Sequence, residues 1–318
     1  MAIFKSLKSS ITICGIFTFV AIFTACKNNT GIKKNKIAIN TTDKEQKAPK
    51  KKLSKKFKDY WYNGTAEITT YELEQARYGE IREGSAVMIF VTEPFLSGLQ
   101  VKSDTKDNDN ISVLKLNATK NYITGIYPYS IMTSSFYPVH DNQHALKLSF
   151  SAQEWCGHVY AQLNNRNDFE MMSHSYFESE ADQTFNLNKT NLEDEIWNKL
   201  RINPTDLPIG EIKMIPSLEF IRLTHKELKA YNAKTSLTEM DGIKTFEITY
   251  PELERTLKIN FRTEFPYTIE SWTDTYKDGF GDNAKILTST ATIINRITTP
   301  YWSQNSNKDI SLRDSLGL

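Results

Sequence analysis

The chain has 318 residues, enough for one large domain or two small ones with an ample core, and a formal net charge of +1 that conceals a split. Twelve lysines and two acids fall between Lys27 and Lys58, so the remainder is acidic by a comparable margin. Cys14 and Cys26 lie near the start and Cys156 stands alone in the body of the chain, which excludes a disulfide-stapled scaffold.

Lys5 and Lys8 precede an apolar run from Ile11 to Phe23, followed by Thr24-Ala25-Cys26. A basic start, a short apolar segment and small residues before a cut form the secretory-signal pattern, and the run is well short of the roughly 20 residues that span a bilayer. Cysteine directly after Thr24-Ala25 matches the bacterial lipobox, so Cys26 is the expected lipidation site and the mature chain is anchored by acyl chains. An ordinary signal peptide with a chance cysteine is the alternative. Lys27, where an Asp would favour inner-membrane retention, points to the outer membrane. The lack of acids before Asp43 points to the periplasmic side.

Residues 26–58 are rich in Lys, Asn and Thr and poor in apolar side chains, too little to offset the entropy of ordering them. They read as a disordered tether between a signal peptide at 1–25 and a single β-rich periplasmic domain at 59–318. Lys50-Lys51-Lys52 and Lys55-Lys56 either attract anionic lipid headgroups or serve as a solubilising spacer. Nucleic acid is not an expected partner outside the cytoplasm.

From Tyr60 the composition turns to Trp, Tyr, Ile and Thr. Alternating runs predict strands over 66–76, 86–92, 126–137, 145–163 and 170–187, then over 211–224, 244–250, 255–263, 267–276 and 285–298. Turn chemistry at Glu83-Gly84, Asn164-Asn165, Asp241-Gly242, Pro251-Glu252 and Asp278-Gly279 separates many of them. Short links between successive strands imply antiparallel meanders, and the strand lengths imply a strongly twisted or curled sheet, half-barrel-like in outline. One α-helix interrupts the strands near 191–201: Leu192, Ile196 and Leu200 share a stripe with Trp197 beside it, Asn191 offers a cap, and Pro204 ends it. Glu193-Asp194-Glu195 and Lys199/Arg201 suit the two ends of its dipole. A second short helical turn is expected at 225–231. No internal repeat, phosphate loop, G-x-S-x-G, H-E-x-x-H or C-x-x-C occurs.

One polar constellation stands out. Alternation places Glu154, Cys156, His158 and Tyr160 on one face of a run, and His174, Tyr176, Glu178 and Glu180 on one face of the next. A turn centred on Arg166 would pair 158 with 174, 156 with 176 and 154 with 178, within side-chain reach. His158, His174, Cys156, Glu154 and Glu178 are zinc-compatible ligand types, and Cys beside His is also a nucleophile–base pairing. The alternative is a plain polar sheet face with Cys156 packed as a small apolar residue. His140 and His144 add either ligands or loop side chains. Trp155, Tyr127, Tyr129, Phe136 and Tyr137 line either a ligand cavity or an aromatic core.

The segments Trp61-Tyr62-Asn63-Gly64-Thr65-Ala66-Glu67-Ile68, Glu72-Leu73-Glu74-Gln75-Ala76-Arg77-Tyr78-Gly79-Glu80 and Gln153-Glu154-Trp155-Cys156-Gly157-His158-Val159-Tyr160 resemble a family of Bacteroidetes, specifically flavobacterial, lipoproteins. The resemblance covers most of the chain beyond Tyr60. The family is often labelled "septum formation inhibitor Maf", but Maf-type nucleotide pyrophosphatases are cytosolic α/β proteins with a Ser-Pro-Arg-Arg motif. That motif is missing from this sequence, so no catalytic residue carries over. The resemblance implies an envelope address and no defined activity. Three readings stand: a binding or structural module that takes an apolar ligand or an envelope protein, a metal-dependent or Cys/His hydrolase centred on the 154–178 hairpin, and, disfavoured by the missing motif, a Maf-type nucleotide pyrophosphatase.

Overall fold

In a computed structural model, which describes residues 50–105, 107 and 110–318, the alternating runs form one 16-stranded sheet. All of these residues belong to the unit Glu45–Leu318. In chain order the first strands are β1 (Ala66–Arg77), β2 (Glu80–Leu96), β3 (Val101–Lys102), β4 (Ile111–Thr124) and β5 (Tyr127–Pro138). Then come β6 (Lys147–Glu154), β7 (Gly157–Asn165), β8 (Phe169–His174), β9 (Gln183–Leu187) and β10 (Asn191–Leu192). The last are β11 (Gly210–Ile215), β12 (Tyr231–Met240), β13 (Ile243–Tyr250), β14 (Arg255–Arg262), β15 (Ile269–Asp278) and β16 (Lys285–Thr299). The described helices are α1 (Lys55–Trp61), α2 (Glu193–Ile202) and α3 (Leu218–Thr224), with short 3-10 turns between elements; none is long and apolar enough to cross a membrane.

β1 lies mid-sheet. One wing runs β2, β4, β5, β6, β7, β8, β9, and the other runs back from β16 through β15 to β10, with β3 beside β2. Every pairing is antiparallel except the short β10–β11 contact, as hairpin links require. The sheet is open between its end strands β9 and β10. Yet Leu187 and Asn191 are four residues apart, so the chain holds the two ends within roughly 14 Å. Strand twist accumulated over so many strands produces the expected curled, half-barrel form. The predicted turn at Asp241-Gly242 is present: both residues take positive φ (51° and 77°), as a two-residue hairpin turn demands, between the paired residues Met240 and Ile243.

Three expectations are corrected. The folded unit reaches back into the expected tether: the Ser54 hydroxyl caps α1, Phe57 is buried, and the Lys51 N–H donates to His140 O. The apolar and amide groups of this stretch therefore find partners that composition alone does not reveal. The helical turn expected at 225–231 lies earlier, as α3 at 218–224 within the run expected as strand over 211–224, because Ser217 caps it and His225 ends it in the left-handed conformation. The run 145–163 is two strands, split by a tight turn at Trp155-Cys156 between the paired residues Glu154 and Gly157. The signal peptide and Cys26 lie outside the described residues.

α2 packs inside the curl against β4 and β5, and α3 against β5 and β6. Ile196 and Leu200 are fully buried in one apolar cluster with Tyr71, Phe90, Phe246 and Ile259. The charged ends of α2 are buried too.

Candidate functional site

The hairpin singled out by its polar residues has two faces. The turn between β7 and β8 centres one residue later than predicted: Asn165 pairs with Phe169 and Tyr160 with His174. Moving a turn by one residue moves the pairing by two, so His158 and His174 keep a common face but sit diagonally, at about 7–8 Å instead of directly opposed. That face is the outer one, and both histidines are exposed. The Trp155-Cys156 turn breaks the alternation, taking Glu154 and Cys156 out of phase with His158. The Glu154 carboxylate accepts from Cys156 N at 2.6 Å and holds the exposed thiol above its usual pKa, the wrong direction for a nucleophile. Glu178 lies in the exposed 175–182 loop, and His174 Nδ1 meets Asp182 at 3.2 Å. Among the described residues no three His, Cys, Asp or Glu side chains cluster at metal-holding distance. His140 is half-buried near the surface, where its Nδ1 lies 3.3 Å from Lys51 O, and His144 is half-buried with its Nδ1 3.1 Å from Glu195.

The opposite parity of the same strands builds a pocket. Phe150, Ala161 and Met171 point inward from β6, β7 and β8, and Phe185 and Leu187 continue that face on the edge strand β9. Leu218 and Ile221 of α3, with Leu228 after it, form the other wall. Between them lies a cavity of about 640 Å³, well inside the roughly 300–1,000 Å³ typical of small-molecule sites. The aromatic residues proposed from sequence do not line it: Tyr129 and Tyr137 are core, while Trp155 is exposed and stacks on Tyr127.

Its rim is charged. Ser175 Oγ donates to Glu180 at 2.5 Å, and His225 Nδ1 donates to the other Glu180 oxygen at 2.5 Å, tying the 175–182 loop to the end of α3. Burial pushes the Glu180 carboxyl up, but these bonds and nearby Arg222 outweigh it and hold the group below the usual carboxylate range. Ser175 and His225 both address Glu180 and not each other, so the trio is a clasp, not a nucleophile–base relay. Arg222 stacks on Phe177 at 4.2 Å and gives His225 Nε2 a 3.4 Å contact.

The interior around α2 differs. Arg255 makes two 2.7 Å bonds to Glu193 and bonds of 2.8 and 2.9 Å to Asp274, and Tyr250 OH donates to Glu193 at 2.8 Å. Arg201 grips Glu67 with bonds of 2.6 and 2.7 Å, and Tyr60 OH also donates to Glu67. Burial raises the Glu67 carboxyl, yet the Arg201 charge overrides it and leaves the group below its ordinary value. Asp194 accepts from Leu218 N at 3.1 Å, and burial lifts its pKa to about 7. The cavity beside these groups is about 70 Å³, too small for a ligand of more than a few atoms.

No family model matches the chain, and no curated protein matches it. Among solved structures it is similar to a beta-barrel-like protein of the domain of unknown function DUF1849 from Brucella abortus. Identity is 10%, the match covers 74% of this chain and 98% of that one, and the TM-score is 0.45.

Proposed function

We propose that this chain is a lipid-anchored envelope lipoprotein, held through Cys26 at the outer membrane and facing the periplasm, whose β unit binds an apolar ligand between β6–β9 and α3. The observation that carries the binding reading is the 640 Å³ pocket with apolar walls on both sides, lined on the sheet side as far as the end strand β9. A core with no function to serve closes such space, because each unfilled cavity forfeits contacts. The anchor reading rests on the charge, length and small-residue pattern around Cys26.

Native mass spectrometry of the chain purified from its own envelope tests the binding reading. A lipid-sized adduct is expected, lost when Ala161→Trp fills the pocket. A bare mass, together with no uptake of added dodecanol, would sink it. Incorporation of labelled palmitate, abolished by Cys26→Ser, tests the anchor separately.

A further inference from the structure

We propose that the pocket takes a single-chain amphiphile with an anionic head, a carboxylate or a phosphate, and that Arg222 receives that head. The inference rests on the apolar-ligand reading above and adds the head-group chemistry to it.

Arg222 is 8% exposed and lines the pocket. A guanidinium carries five donors in a fixed fork. Here Nε has no partner among the described residues, and the 3.4 Å contact to His225 occupies one terminal nitrogen. The nearest carboxylate, Glu180, is 4.0 Å from that same nitrogen, beyond hydrogen-bond reach. Phe177 stacks on the guanidinium face, which leaves the edge, where the donors lie, to meet an acceptor.

Three more deeply buried arginines show that this fold can satisfy such a group: Arg77 donates to the Leu223 carbonyl and to the Tyr78 and Tyr129 hydroxyls. Arg201 has a bidentate carboxylate and a carbonyl 2.9 Å from Nε, and Arg255 has two carboxylates. A buried cation without its acceptors is strongly disfavoured. Burial lowers the Arg222 pKa, and the Glu180 charge, working the other way, offsets it only in part, with like-charged Arg77 adding to the lowering. An oxyanion of a bound ligand would supply acceptors in the bidentate geometry that arginine prefers.

The surroundings fit the same ligand. Lys226 lines the pocket without an ion pair among the described residues, while Lys229 is matched by Glu227 at 2.6 Å, so the rim is cationic. The apolar wall crosses four strands, about 14 Å at the usual strand spacing, a length suited to an extended acyl or alkyl tail.

The test titrates the full chain with dodecanoate, dodecyl phosphate and dodecanol, which share a tail and differ in head. Binding is read by native mass spectrometry. At least one anion is expected to bind tenfold or more tightly than dodecanol, and which one identifies the head as carboxylate or phosphate. Arg222→Gln is expected to abolish that preference, bringing the anion down to the affinity of dodecanol. If that variant fails to fold by circular dichroism, Lys226→Gln at the exposed rim decides, with a severalfold loss of preference expected. Equal binding of all three amphiphiles, or a preference that survives in the variant tested, overturns the inference and leaves the apolar-ligand reading standing. Binding of none overturns both.

Discussion

Around α2 the interior is closed, and Glu193, Glu195, Lys199 and Arg201 are buried. Each meets a partner on the surrounding wall: a guanidinium for Glu193, a backbone amide for Glu195, a carbonyl for Lys199 and a carboxylate for Arg201. Between β6–β9 and α3 the wall has the same inward alternation of apolar residues, yet the space is open and the Nε of one buried guanidinium lacks an acceptor among the described residues. Burial of charge is common to both regions, so burial alone does not mark a site. Satisfaction does. Paired charges fix α2 in one position inside the sheet, whereas the under-satisfied Arg222 stands beside room for something else.

The sharpest break of this contrast is Arg201→Met, which leaves Glu67 buried without its partner. It should cost about 3–5 kcal/mol in urea unfolding, whereas Glu67→Leu with Arg201→Met should recover most of it. A smaller cost at the Arg201 site than at Arg222→Gln would reverse the assignment of closed and open regions.

Truncation of apolar residues should separate the regions as well. Leu200→Ala in the closed interior is expected to lose about 2–5 kcal/mol. Leu228→Ala, at the edge of existing space, should lose under ~1 kcal/mol while weakening dodecanol uptake. Chemical denaturation and the ligand titration read the two effects separately.

Acid–base behaviour sharpens the comparison further. Asp194 holds the Leu218 N–H at the start of α3, the helix that walls the pocket, and titrates at about 7 against roughly 3.9 in an unfolded chain. The folded state then binds the proton more tightly. The contribution of Asp194 to stability is fully present below about pH 4 and is lost as pH rises to about 7. Asp194→Asn should flatten urea midpoints across that window. Glu67 has the opposite sign: its carboxyl is held low, so its contribution is present above the ordinary carboxylate range and lost as pH falls below it. A wild-type profile that does not fall between pH 4 and 7 more than the Asp194→Asn profile would show that Asp194 is ionised in the fold.

The smallest effect is expected on the outer face. His158→Ala and His174→Ala should each change stability by less than about 0.5 kcal/mol and leave dodecanol uptake intact. Stoichiometric zinc lost in either variant would restore the metal reading of the hairpin.

Much of the architecture is legible in local pattern. Period-2 runs such as 66–76, 244–250 and 285–298, and the Asp241-Gly242 turn, follow from backbone stereochemistry that each segment carries by itself. The stripe Leu192, Ile196, Leu200 likewise announces α2 within two residues of its bounds. Alternation also divides the 145–187 stretch into two faces, but it does not say which face turns inward. His158 and His174 drew attention because their chemistry is visible in one dimension, and the curl of the sheet puts them outside.

Tertiary structure alone decided the rest. The acids and bases of α2 read as helix-dipole partners in sequence, and their burial depends on Arg255, Glu67 and Asp274, which are distant in the chain. Arg222 carries no sequence signal, since an arginine in a short helix is ordinary until the fold takes it out of solvent and leaves its Nε without an acceptor among the described residues. Local sequence determined strand, turn and helix because those depend on neighbours along the chain. The pocket and its unsatisfied charge arise from long-range closure, which no short pattern encodes.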